Sequence, residues 1–174
     1  MRNLRNLIIV FLLESAAASV VGIMLVYFGI FNISALWNDP APVYALFKAV
    51  RTHSIERQAR KVQIPASINL HDPDLIRSGF NIYVRSCMIC HDGPGLKPSN
   101  FVRDGLYPKP PKFSRSSNLE LDPQELFWVI KNGIRMTGMP AWGPSKTDGQ
   151  LWALVAFLNN LPHDSQAISP LSNE

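Results

Sequence analysis

Apolar positions change their spacing along this chain, and each change predicts an element. From residue 7 to residue 37 apolar and small residues are nearly continuous, and the 23 residues 15–37 carry no charge at all. As a helix, residues 15–37 would span about 34 Å at about 1.5 Å per residue, enough for the hydrocarbon core of a bilayer. One N-terminal transmembrane helix is therefore expected. After Pro40, apolar residues recur at helical spacing as Val43, Leu46, Phe47 and Val50, which reads as an amphipathic helix. Its second half is basic, with Arg51, Arg57, Arg60 and Lys61 against Glu56 alone. Such a helix could lie along lipid headgroups or dock on a partner subunit. Ile64-Pro65-Ala66-Ser67 then reads as an extended linker, because a residue before proline is pushed out of the α region.

Three further helices follow. Asp72-Pro73 supplies a cap and a first-turn proline for a helix running to about Val84. Asp122-Pro123 repeats the device for a helix that carries Leu126, Phe127, Trp128 and Ile130 and stops at Gly133. The last starts near Asp148 and ends before Pro162. The expected fold class is all-α. Four regions are delimited: 1–38, N-terminus and membrane anchor; 39–68, juxtamembrane helix and linker; 69–163, a small folded domain; and 164–174, a C-terminal tail. No internal repeat or low-complexity tract interrupts them.

Charge orients the anchor. Arg2 and Arg5 precede the apolar run, so the positive-inside rule leaves the N-terminus in the cytoplasm and everything after residue 38 on the opposite side, which in a bacterium is the periplasm. A cleaved signal peptide is the rival reading, with residues 7–13 as its apolar core and Ala16-Ala17-Ala18 as its cleavage site. Glu14 interrupts that pattern and the apolar run continues to Phe31, so an uncleaved anchor is expected. Glu14 falls near the edge of the 15–37 span and is expected to snorkel toward the interface. The chain has 17 Lys and Arg against 13 Asp and Glu, a net of +4. Arg103, Lys109, Lys112 and Arg115 cluster in a proline-rich stretch, and Lys131 and Arg135 flank a methionine-containing one; the readings are counter-charges, a docking face or a solvated face. No nucleic-acid partner is expected, since the basic residues form no recognised binding module.

The candidate chemistry is concentrated in Cys87-Met88-Ile89-Cys90-His91, the C-x-x-C-H attachment motif for covalent c-type haem. Cys87 and Cys90 would form thioethers to the haem vinyl groups and His91 would be the proximal iron ligand. These are the only two cysteines. A structural disulfide with a two-residue loop would constrain little, no βαβ pattern suggests a thioredoxin-like pair, and zinc would lack a fourth ligand. A sixth ligand is offered in residues 132–143. Met139 is favoured, because Gly138 lets the backbone approach closely and Pro140 stiffens it, with Met136 as the fallback. Trp128, Trp142 and Trp152 read as haem-pocket and core packing. One covalently attached haem c, bound by Cys87, Cys90, His91, Met139 and Trp142 with iron on His91 and Met139, is the expected cofactor.

A glycine and an aromatic in the helix before C-x-x-C-H, a G-M-P loop and an aromatic-rich last helix together resemble the class I cytochrome c family over residues 69–163. Gly79 and Tyr83 match its first helix, and Trp152, Leu154 and Phe157 its last. The resemblance implies a small cytochrome c fold in which those two helices cross closely at Gly79. It also implies a loop proline whose carbonyl orients the haem histidine, a role carried here to Pro94 among Pro94, Pro98, Pro108, Pro110 and Pro111. The ending Met-Thr-Gly-Met-Pro-Ala-Trp-Gly resembles small membrane-anchored monohaem cytochromes and cytochrome subunits of bacterial respiratory complexes. Electron transfer at the periplasmic face of a bacterial inner membrane is then the expected function, without a catalytic residue of its own. Redox partner proteins or respiratory-complex subunits are the expected partners, with membrane lipid. A haem-based ligand sensor or a peroxidase-like module is the alternative, and either needs an open sixth coordination site.

Overall fold

The computed structural model describes residues 2–92, 100–113 and 121–161, and the chain divides into two compact units, Met1–Trp37 and Asn38–Glu174. Among the described residues every element is an α-helix, in agreement with the all-α expectation.

The first unit is one helix, α1 (Arg2–Tyr27), whose described side chains are all exposed. Its stretch Asn3–Tyr27 is the one helix among the described residues long and apolar enough to cross a membrane. The helix lies more than a turn N-terminal to the expected 15–37 span. It starts before the uncharged run because a single carboxylate does not stop a helix, and it ends early because Gly29, at φ 61°, does. Gly29 donates its N–H to Val26 O (3.1 Å) and Ile30 to Leu25 O (3.1 Å), the two reverse bonds of a Schellman stop. Glu14 consequently lies near the middle of the apolar helix and not at its edge, so the snorkelling expected from an edge position loses its basis.

In the second unit, α3 (Pro73–Ser86) and α6 (Asp148–Asn159) form the central crossing. A Cβ built on Gly79 would stand 1.9 Å from the Ala153 carbonyl oxygen, so only glycine permits the backbones to meet here. Phe80 and Tyr83 then pack on Phe157, with ring centroids 5.6 and 5.1 Å apart. Eight consecutive residues of α6, 151–158, are buried, because α3 covers one side of it and α5 (Pro123–Asn132) another. Phe127 of α5 stacks on Trp152 at 4.3 Å.

The helix ends follow local chemistry. Asp72 accepts from the N–H groups of Asp74 (2.8 Å) and Leu75 (3.3 Å), and Glu125 returns a carboxylate to the Asp122 N–H (3.0 Å). Thr147 and Gln150 exchange bonds in a capping box that opens α6. His71 Nδ1 donates to Asn160 Oδ1 (2.8 Å), while Asn160 Nδ2 donates to Leu70 O (2.7 Å), latching the entry of α3 to the exit of α6.

Two parts of the second unit differ from expectation. The amphipathic helix forms as α2 (Ala41–Ala59), but its C-terminal half packs on α5, with Ile55 and Ala59 buried. The following linker is not fully extended, since Ile68 donates its N–H to Pro65 O (2.9 Å) and closes a turn. A short helix with no sequence forecast, α4 (Asn100–Asp104), lies between α3 and α5.

Candidate functional site

α3 does not stop cleanly at Ser86; its turns continue into the cysteine motif. Cys87 N–H bonds to Tyr83 O (2.8 Å), Cys90 N–H to Cys87 O (3.0 Å) and His91 N–H to Cys87 O (2.9 Å). In this helix-like turn Cys87 and Cys90, three residues apart, face the same way. Both are free and half-buried. Burial pushes the Cys87 thiol up to about 12, with Cys90 adding to the shift and Lys146 opposing it. The turn is backed by Tyr83, whose hydroxyl donates to Asp92 O and whose burial raises its pKa, keeping it a neutral donor.

His91 is fixed from outside its own turn. Its Nδ1 lies 3.1 Å from the carbonyl oxygen of Pro111, which can only accept, so Nδ1 carries the proton and Nε2 presents a lone pair. Phe113 stacks on the imidazole, centroids 4.6 Å apart and planes within 6°. Burial lowers the His91 pKa, with the nearby Arg103 cation acting the same way, while the Pro111 hydrogen bond and Asp92 act against it. The neutral imidazole is the form that binds a metal. The carbonyl that orients His91 thus belongs to Pro111. Pro94, the residue assigned that role from the sequence, lies outside the described residues.

Met139 sits on a loop that returns to α5. Gly133, at φ 67°, ends α5, and a Cβ there would strike the backbone of residues 139–141 at 2.7–2.8 Å. Ile134 N–H bonds to Met139 O (3.2 Å), Trp142 N–H to Ile130 O (3.0 Å) and Gly143 N–H to Lys131 O (2.9 Å). Thr137 braces the inside, donating to Ile134 O (2.8 Å) and accepting from Met139 N–H (3.1 Å). Met139 is half-buried, whereas Met136 is 76% exposed with φ 60°. Trp142 is half-buried against the core and carries the Lys146 ammonium 4.8 Å above its ring.

One short segment touches both the His91 turn and the Met139 loop. Leu106 packs so closely on Gly138 that a Cβ there would lie 2.6 Å from its Cδ2, and five residues later Pro111 holds His91. Arg103, just upstream, donates through a terminal nitrogen to Pro110 O (2.9 Å), while its buried Nε has no hydrogen-bond partner among the described residues. A buried guanidinium nitrogen without an acceptor is a place for a carboxylate. Two thiols on one side of a turn, an oriented imidazole and this orphaned donor fit a haem bearing propionates.

Of the other cations, Lys131 is bound bidentately to Asp148 (2.7 and 2.9 Å) and Lys109 lies 3.9 Å from Asp104. Arg115 lies outside the described residues. Pro111, Phe113, Arg103 and Thr137 were not singled out for these roles in the sequence. The five prolines and the cationic cluster marked their neighbourhood without distinguishing among them.

The α3–α6 crossing, the C-x-x-C-H turn and the returning methionine loop define a class I c-type cytochrome domain. Residues 74–158 match the family model of cytochrome C oxidase, cbb3-type, subunit III. No curated protein and no solved structure gives a significant match.

Proposed function

We propose that the chain is a membrane-anchored cytochrome c with a single covalent haem on the periplasmic side, passing electrons one at a time between redox partners. The observation that carries this reading is His91, placed directly after two free thiols, with Nδ1 tied to Pro111 and Nε2 left for iron. Cys87 and Cys90 would hold the haem by thioethers, His91 and Met139 would be its axial ligands, and Arg103 would neutralise a propionate. When bound, haem iron supplies the one-electron chemistry, and a histidine–methionine pair raises its potential. The protein's own contribution is to fix the imidazole tautomer, brace the methionine loop and exclude water with Tyr83, Phe113 and Trp142.

The family of residues 74–158 supports a place among the subunits of a membrane oxidase complex. Anchoring by α1 is supported by its length and apolarity, and the orientation by Arg2 and Arg5. Expression with haem-attachment machinery should give a band that retains haem on denaturing gels, resists carbonate extraction from membranes, and shows an iron–methionine absorption band when oxidised. Absence of covalent haem, or ready binding of carbon monoxide by the native reduced protein, would overturn the reading in favour of another haem function or none.

A further inference from the structure

α2 has two apolar faces, and the cytochrome domain covers only one of them. Ile55 and Ala59 are 6% and 3% exposed, packed where α2 meets α5. At about 100° per residue, Val43, Leu46, Phe47 and Val50 lie on an arc centred roughly 150° round the helix from that pair. Leu46, Phe47 and Val50 remain 62%, 46% and 57% exposed. This second face does not continue the packed one, and no described residue of the second unit buries it.

We propose that this face of α2 lies in the headgroup layer of the membrane that α1 crosses, with anionic phospholipid as its partner. The inference rests on the reading of α1 as an anchor. Residues 28–40 join α1 to α2, a tether of at most about 45 Å at 3.3–3.6 Å per residue, and hydrogen-bonded turns at Phe28, Ile30 and Trp37 shorten it. The tether is itself apolar, with Phe28, Ile30, Phe31, Ile33, Leu36 and Trp37 all exposed. Residues 41–55 contain no carboxylate, while Arg57, which falls on the same arc as Leu46 and Val50, is an exposed cation able to meet lipid phosphate. An apolar stripe with aromatic Trp37 and Tyr44 near its start and a cation, Arg57, beyond its end is the composition of an interfacial helix.

The test is photocrosslinking in the full-length haem-loaded chain, reconstituted in vesicles of phosphatidylethanolamine and phosphatidylglycerol and repeated in native membranes. A benzophenone amino acid replaces Leu46 or Phe47 in turn, or Thr52 on the opposite side of the helix. Lipid adducts on the α2 peptide are expected from positions 46 and 47 at about tenfold the yield from position 52. Equal yields at all three positions, or a protein adduct from position 47 in native membranes, would overturn the proposal while leaving the electron-transfer reading intact. Carbonate extraction of the same samples separates the two ideas, since release of the chain from the membrane would sink the anchor and this surface together.

Discussion

His91 is secured by chain that arrives from elsewhere, whereas Met139 is secured by the loop that carries it. The histidine depends on a carbonyl twenty positions away and on the Phe113 ring from the same distant segment. The methionine depends on Thr137, Gly133 and three backbone bonds back to α5 or across its own loop, with only Leu106 reaching in from outside. A ligand held by a distant segment is lost when the domain opens, and one held by its own loop can be lost while the domain stays closed.

The strongest way to break the comparison is at the histidine side. His91→Ala, Cys87→Ala and Cys90→Ala should abolish or sharply reduce haem staining on denaturing gels; retention of normal attachment in all three variants would remove the basis of the site. Gly79→Ala should come next, acting on the whole domain. Its Cβ would collide with the Ala153 backbone, and forced overpacking of this kind costs about 1–3 kcal/mol, to be read from denaturant unfolding of the haem-loaded protein.

The methionine side should respond locally. Met139→Ala should lower the reduction potential and admit carbon monoxide with little change in far-ultraviolet circular dichroism, and Met136→Ala should do neither. If the two variants exchange roles in spectroelectrochemistry, the ligand is Met136. Thr137→Val should sharpen the contrast: loss of two hydrogen bonds, each contributing about 0.5–1.5 kcal/mol, should speed replacement of Met139 by added imidazole while the unfolding midpoint moves less than in Gly79→Ala. The smallest effect is expected from Lys131→Ala, whose pair with Asp148 is exposed enough to contribute about 0.2–1 kcal/mol.

Legibility in the sequence followed the same division between local and distant causes. The helices α3 and α5 were visible because their caps, Asp72-Pro73 and Asp122-Pro123, are local chemistry, and α6 was placed from near Asp148 to before Pro162 without its equally local Thr147–Gln150 box being read. Gly79 was legible through the resemblance to class I cytochromes c, which implied a close helix crossing that a residue without a Cβ permits. Pro111 was not separable from four other prolines, since the choice depends on where residues 100–113 fold back. Lys131 was left among a counter-charge, a docking face and a solvated face, because its partner Asp148 stands 17 positions away. The N-terminal apolar helix was placed too far along because charge was used to mark its ends, although the stop at Gly29 was written in the sequence. The second face of α2 was visible as periodicity, but only packing distinguishes it from the face that the domain buries.

The contacts of residues 106–113 also bear on how the pocket can be assembled. His91 and Met139 are 48 positions apart, whereas His91 and Pro111 are separated by 20. Closing a loop of 20 residues instead of 48 costs roughly 0.8 kcal/mol less entropy on a logarithmic length dependence. The histidine half can therefore form as a smaller closure of its own, before residues 133–143 have any defined position. Leu106 then offers Gly138 a surface already in place, so the second half completes by docking and not by a new search of the whole chain. A two-sided pocket whose halves are joined by eight residues can thus be closed in two smaller entropic steps instead of one large one.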